Sequence, residues 1–195
     1  MATSPPSSVL DPLVDEAVKP RQLTPNEVPV RESYAIRVYK QYFNFGSAHF
    51  LIFADGTREP LHGHNYQARV KVEGDLDAGD VVIDFIPFKP LVKALCDALD
   101  HHTLLPRYNK HLEIIESEES VEVHHRDGGR FVFPTEDVLI LPITNTSTEM
   151  LARYLATAII EALPTKVPEA KVHAVEVEVE ESGGQCGICR LDIEG

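Results

Sequence analysis

With 195 residues the chain can bury one sizeable core, and no stretch approaches the ~18 consecutive apolar residues of a membrane span. A net charge of -13 excludes a phosphate backbone as the main partner, because nucleic-acid affinity comes mainly from Lys and Arg displacing counterions. Three cysteines, Cys96, Cys186 and Cys189, are too few and too unevenly placed for a disulfide framework, and the N-terminus lacks a charged-then-apolar signal pattern, so a cytoplasmic, reducing location is expected.

Residues 1–32 are rich in Pro, Ser and charge without an apolar period, which predicts a flexible arm preceding a single domain over 33–195. From Ser33 to Phe53 aromatic and β-branched residues predict a strand with Phe43, Phe45, Ser47 and His49 on one face. The turn formers from Ala54 to Pro60 then lead into a second strand, Leu61 to Val72, where His62, His64, Tyr66, Ala68, Val70 and Val72 share a face. The two strands form an antiparallel hairpin. Val81 to Phe85 reads as a short strand, followed by a helix in which Phe88, Leu91, Val92, Leu95 and Leu99 recur at helical spacing. A second helix starts near Thr146, where Thr146 and Glu149 fit a capping box, and should end before Pro164. Between the helices, Val121 to His125 and Phe131 to Phe133 flank Asp127-Gly128-Gly129, a hairpin signature inside an insertion over about 112–142. The last clear strand is Lys171 to Glu181.

His62-Gly63-His64 places two imidazoles on the same side of a strand, and the hairpin brings His49 beside them. Three neutral nitrogen donors with a fourth position free are the arrangement of a catalytic zinc. The Cys186-Gly187-Ile188-Cys189 run is the competing metal motif, as part of a structural Cys/His site. Asp100-His101-His102 follows the first helix, where Asp100 can orient His101 as a proton donor or acceptor, or the run can simply cap the helix. Glu59 stands three residues before His62, within reach of a substrate held at the metal, although a solvated loop charge has the same sequence. On the terminal strand Val175, Val177 and Val179 face one way, Glu176, Glu178 and Glu180 the other, and parity puts Glu181 on the valine face. A carboxylate there needs a partner, and a bidentate N–H pair such as the 2-amino and N3–H edge of a pterin or guanine would satisfy it; a fraying strand end is the alternative.

Together, Phe45-Gly46-Ser47-Ala48-His49, Leu61-His62-Gly63-His64-Asn65-Tyr66, Ile83-Asp84-Phe85, Leu99-Asp100-His101-His102, Thr146-Ser147-Thr148-Glu149 and Glu180-Glu181-Ser182 resemble the 6-pyruvoyl-tetrahydropterin synthase family, which includes the 6-carboxy-tetrahydropterin synthases. The resemblance implies an α+β tunnelling fold: a four-stranded antiparallel sheet with two helices on one face, closing into a barrel in a trimer, two of which stack as a hexamer with active sites between subunits. It implies a Zn2+ cofactor on His49, His62 and His64, an acid/base pair in Asp100 and His101, and a pterin anchor in Glu181. Ser147, Thr148 and Glu149 correspond to a second pterin-contacting stretch. The partners expected are a small pterin substrate and further copies of the chain, with no nucleic acid or membrane.

The family's pyruvoyl and carboxy synthases carry a cysteine base shortly before H-G-H. This chain has none there, and Glu59-Pro60-Leu61-His62-Gly63-His64 fits the E-x-x-H-G-H pattern of the type III variant. That implies a zinc-dependent lyase cleaving the side chain of 7,8-dihydroneopterin triphosphate to 6-hydroxymethyl-7,8-dihydropterin, a folate precursor, with Glu59 as base. The alternatives are a 6-pyruvoyl- or 6-carboxy-tetrahydropterin synthase and a non-catalytic pterin- or purine-binding module.

Overall fold

The computed structural model describes residues 31–194, so the arm expected over residues 1–32 lies, save for its last two residues, outside the described residues. From Ser33 onward the chain forms one compact unit. Strands β1 (Tyr34–Val38), β2 (Asn44–His49) and β3 (His62–Gly74) come first. The single strand expected over 33–53 is broken because residues 39–43 turn, closed by Phe43 N–H to Lys40 O at 2.9 Å. The Gln67 amide also donates to the carbonyls of Lys40 and Phe43, both at 2.8 Å. Both pieces therefore lie along the same long β3, β2 against its start and β1 against its end.

No strand forms over 81–85. Asp84 instead accepts from Ile86 N–H at 2.8 Å and caps α1 (Phe85–Asp97), so its need for a backbone donor overrides the β-branched run before it. Strand β4 (Thr103–Pro106) follows, then β5 (Leu112–Glu116), β6 (Ser120–His125) and β7 (Arg130–Pro134). A 3-10 turn (Thr135–Asp137) leads to β8 (Val138–Leu141), and α2 (Thr148–Lys166), β9 (Val172–Ser182) and β10 (Gln185–Asp192) close the chain. The cap of α2 is Ser147, which accepts from Met150 N–H, and not Thr146. Thr146 is fully buried and donates its hydroxyl to Phe50 O at 2.8 Å. Helix α2 also runs through Pro164, because a proline so near the end removes only one ladder bond and Val167 N–H still closes on Leu163 O.

The main sheet has seven strands where four were expected. Counting β1 and β2 as one interrupted strand, four antiparallel members run β1/β2, β3, β9, β10, and β4 and β8 add in parallel beyond β2. Both additions are four-residue segments, too short to show a period. Strand β10 shows no clear period because glycine, Gly187, stands at a buried position and apolar Ile188 at an exposed one. The inserted hairpin is present as β6 and β7, turning at Gly128 with φ of 94°, but β5 pairs with β6 to make a three-stranded sheet.

Period-two alternation places Tyr66, Ala68, Val70, Val72, Val175, Val177 and Val179 on one buried face of the main sheet. Helices α1 and α2 cover it, sharing a core through Phe88, Val92, Leu151, Leu155 and Ile159. Each such side chain contributes roughly 1.5–3 kcal/mol by leaving water. The opposite face is charged, with Arg69 paired to Glu178 and Glu180. A second core of Phe50, Ile52, Leu105, Val121 and Val123 joins the inserted sheet to the rest. Among the described residues no helix is long and apolar enough to cross a membrane.

Candidate metal centre and active site

Antiparallel pairing of β2 with β3 sets His49 directly opposite His62 and Ser47 opposite His64. Gly63, opposite Ala48, has room for no larger residue without crowding Ser47 O, 3.2 Å from where its Cβ would lie. The imidazole centroids of His49, His62 and His64 are 4.7 to 5.3 Å apart, and one ring nitrogen from each lies within 4.8 Å of the others.

Two of these rings are oriented by backbone carbonyls. His49 Nδ1 is 2.9 Å from Thr146 O and His62 Nδ1 is 2.8 Å from Pro60 O, so each Nδ1 carries the proton and each Nε2 keeps its lone pair. His49 is 1% exposed, and its Nε2 is buried with no partner. Burial pushes its pKa down, the bond to Thr146 opposes this, and repulsion from His62 and His64 adds to the lowering. A buried neutral imidazole with an orphan nitrogen aimed at two others is a donor set that fits a divalent metal. The cysteine motif does not compete. Cys186 and Cys189 are three residues apart on β10 and so face opposite sides of the sheet.

Two carboxylates flank the histidines. Glu59 Oε2 is 4.0 Å from His62 Nε2, and Glu181 Oε2 is 4.0 Å from His64 Nε2. Glu59 stands in the connection after β2, anchored by its own N–H to Leu51 O at 2.9 Å. Glu181 follows Val179 on β9, on the face that parity assigned it. Beneath the trio lies Tyr66, fully buried, with a hydroxyl that has no partner. Burial raises its pKa, and the negative charges of Glu181 and Glu59 raise it further. Tyr66 was visible as a member of the histidine face, but nothing in the pattern marked its hydroxyl as unpaired.

Asp100 and His101 form a couple of their own. Asp100 Oδ1 accepts from Gly46 N–H at 2.6 Å and its Oδ2 is 2.7 Å from His101 Nδ1, while His101 N–H donates to Gly46 O at 2.7 Å. The Gly46 bond first, and His101 second, hold the Asp100 carboxyl below its usual range. His101 takes a left-handed φ of 60°, and its side chain is 89% exposed. Among the described residues no hydrogen bond or ion pair joins this couple to the trio. His101 borders an open concavity of about 500 Å3 lined by Gly46, Ala48, Gly63 and Asn65 and also by Ser47 and His64.

Ser147, Thr148 and Glu149 start α2, where Gly187 of β10 packs so closely that a Cβ would come within 2.4 Å of Glu149 N. Just before them, Asn145 bonds both backbone groups of Ile52: its Oδ1 accepts from Ile52 N–H at 3.2 Å and its Nδ2 donates to Ile52 O at 2.8 Å. Asn145 and Thr146 therefore brace His49, a role that no spacing rule indicates.

The family model for 6-pyruvoyl tetrahydropterin synthase matches residues 37–191, which carry both the trio and its flanking carboxylates. The chain belongs to that family. A candidate 6-carboxy-5,6,7,8-tetrahydropterin synthase of Methanocaldococcus jannaschii is 36% identical over 147 residues, 74% of this chain and 87% of that protein. The 6-pyruvoyltetrahydropterin synthase of Plasmodium vivax superposes with a TM-score of 0.76 at 34% identity, covering 84% of this chain and all of the other. Two variants of that parasite protein, described as catalytic-residue mutants, replace one glutamate by alanine or by cysteine. The β5 to β7 sheet stands between the Asp100 couple and α2 in the chain.

Proposed function

We propose that this protein is a zinc-dependent lyase that cleaves the side chain of 7,8-dihydroneopterin triphosphate to 6-hydroxymethyl-7,8-dihydropterin. The observation that carries the reading is Glu59, a carboxylate 4.0 Å from His62 Nε2 on a loop that holds no cysteine. Cys96, by contrast, is buried in the core on α1 with its thiol pushed up to about 12 by burial, which leaves it no use as a base. The parasite relative's catalytic glutamate supports the same substitution of carboxylate for thiolate.

Zinc held on the Nε2 atoms of His49 and His62 and a ring nitrogen of His64 would supply Lewis acidity to a side-chain hydroxyl. Glu59 accepts the proton of the C2′ hydroxyl. The C1′–C2′ bond then breaks, C2′ departs as an aldehyde carrying the triphosphate, the electron pair passes into the C6=N5 imine, and C1′ takes up a proton. Glu181 accepts two N–H bonds from the 2-amino and N3–H edge of the pterin, which fixes the ring beside the histidines. Ser147, Thr148 and Glu149 contact the ring from the start of α2. Asp100 and His101, which no hydrogen bond or ion pair among the described residues joins to the trio of their own chain, serve as the proton shuttle of a neighbouring subunit's site, in a trimeric or hexameric tunnelling-fold barrel.

The name of the M. jannaschii relative favours a second reading, a carboxy- or pyruvoyl-tetrahydropterin synthase. Mass spectrometry of products from the zinc-loaded protein and dihydroneopterin triphosphate separates the two. Release of 6-hydroxymethyldihydropterin, reduced to a low residual rate in Glu59→Gln, is expected. A pyruvoyl or carboxy product in its place overturns the first reading.

A further inference from the structure

The inserted sheet, β5 to β7, contributes none of the candidate site residues, yet it meets the loop that carries Glu59 at several points. Residues 53–59 form a tight reversal, closed by Phe53 N–H to Thr57 O at 2.8 Å and Gly56 N–H to Phe53 O at 2.9 Å. At its tip, Gly56 has φ of 90° and sits so close to the His111 ring that a Cβ would lie 2.9 Å from it. His125 of β6, almost wholly buried, donates from Nε2 to Gly56 O at 2.9 Å, and its Nδ1 is held 2.6 Å from Asp127 Oδ1.

Arg58 is gripped most firmly. Its guanidinium lies over the Phe131 ring of β7 at 4.9 Å and the Phe50 ring at 5.6 Å, and Nη1 donates to Glu59 O at 2.6 Å. Phe50 and Phe131 are themselves stacked at 5.3 Å, so the arginine caps a rigid aromatic pair. A planar, always-charged group that stacks and donates in one plane cannot be replaced by lysine without losing one of the two contacts.

We propose that the inserted sheet is a clamp on the catalytic loop and that Arg58 is a positioning residue for Glu59, holding the backbone of Glu59 against Phe131 and Phe50. This rests on Glu59 being the base. The free energy invested in the second core then appears as placement of one carboxylate, and displacement of a reacting group by about 1 Å can cost on the order of 100-fold in rate.

The test uses the zinc-loaded full-length protein and dihydroneopterin triphosphate. Arg58→Ala is expected to lower kcat on the order of 100-fold with KM and zinc content unchanged. It should cost nothing further in a Glu59→Gln background, and Arg58→Lys should recover part of the loss. By hydrogen exchange the Glu59 amide, bonded to Leu51 O, should lose protection in Arg58→Ala while the β3 amides keep theirs. Should Arg58→Ala fail to fold, Phe131→Leu removes the ring with the same readouts. Losses that multiply in the double variant, or an unchanged exchange rate at Glu59, would overturn the clamp. Full turnover by Glu59→Gln would instead sink the assignment of the base, and loop exchange would still decide whether the clamp exists.

Discussion

His49 is buried, neutral and oriented by a main-chain carbonyl, whereas His101 holds a strained left-handed backbone with its ring in solvent. Both belong to proposed proton or metal chemistry, and both lie along β2: one on its covered face, the other hydrogen-bonded to Gly46 at its far edge. The contrast teaches that a single chain completes the part of the site that must be dry and rigid, where an orphan nitrogen needs a metal to satisfy it. It leaves exposed the ring that, on the proposed reading, a neighbouring subunit would reach. A strained backbone is maintained only where the surroundings fix it, and here Gly46 accepts from His101 N–H and donates to the neighbouring Asp100.

The largest effect expected is on the finished half. His62→Ala should remove the metal and lower turnover more than about 1000-fold, read by zinc stoichiometry and product formation, because two imidazoles with an open third position bind zinc weakly. Mixed oligomers test the unfinished half. Glu59→Gln and His101→Ala chains, each nearly inactive alone, should recover about a quarter of wild-type activity when co-assembled, since random pairing gives one site in four with both groups intact. No recovery would place both residues in one chain's site and break the contrast.

A smaller effect is expected at the brace. Asn145→Ala leaves Ile52's backbone groups unpaired and should cost about 1–3 kcal/mol in chemical denaturation. Metal affinity should weaken by about 10- to 100-fold, as for outer partners of ligating histidines. The smallest is a pH effect on metal-free protein. Burial lowers the His49 pKa, so the unfolded chain binds the extra proton; this contribution is complete above about pH 6.5 and is lost as the pH falls toward the lowered value. Asp100, held down by Gly46, adds a contribution lost only at more acid pH. Melting temperature should fall by a few degrees on acidification, less steeply in His49→Gln.

Period two made the histidine face, the valine face and the position of Glu181 legible, because every residue on those strands is half-committed to one side. Asp84 caps a helix through one local bond, Thr146 bonds Phe50 O from across the fold, and Pro164 removes one bond near a helix end; none of these has a period. The short β4 and β8 exist only because they pair with each other and with β2, a tertiary fact. Asn145 and Arg58 are single polar residues in connections, and only the fold reveals what they touch. That no hydrogen bond or ion pair among the described residues joins Asp100 and His101 to the trio was equally hidden, since it depends on how the chain leaves α1.

The carbonyl that orients His49 has a consequence for how this protein tolerates change. A main-chain oxygen is present whatever residue occupies position 146, so no ordinary substitution there can delete the acceptor. Variation at that site can disturb packing and the bond to Phe50 O, but the tautomer of the imidazole is insulated from it. The weak point is shifted one residue back, to an amide side chain that imitates a neighbouring strand. Drift in the family should therefore be freer in the residue that touches the histidine than in the one that does not.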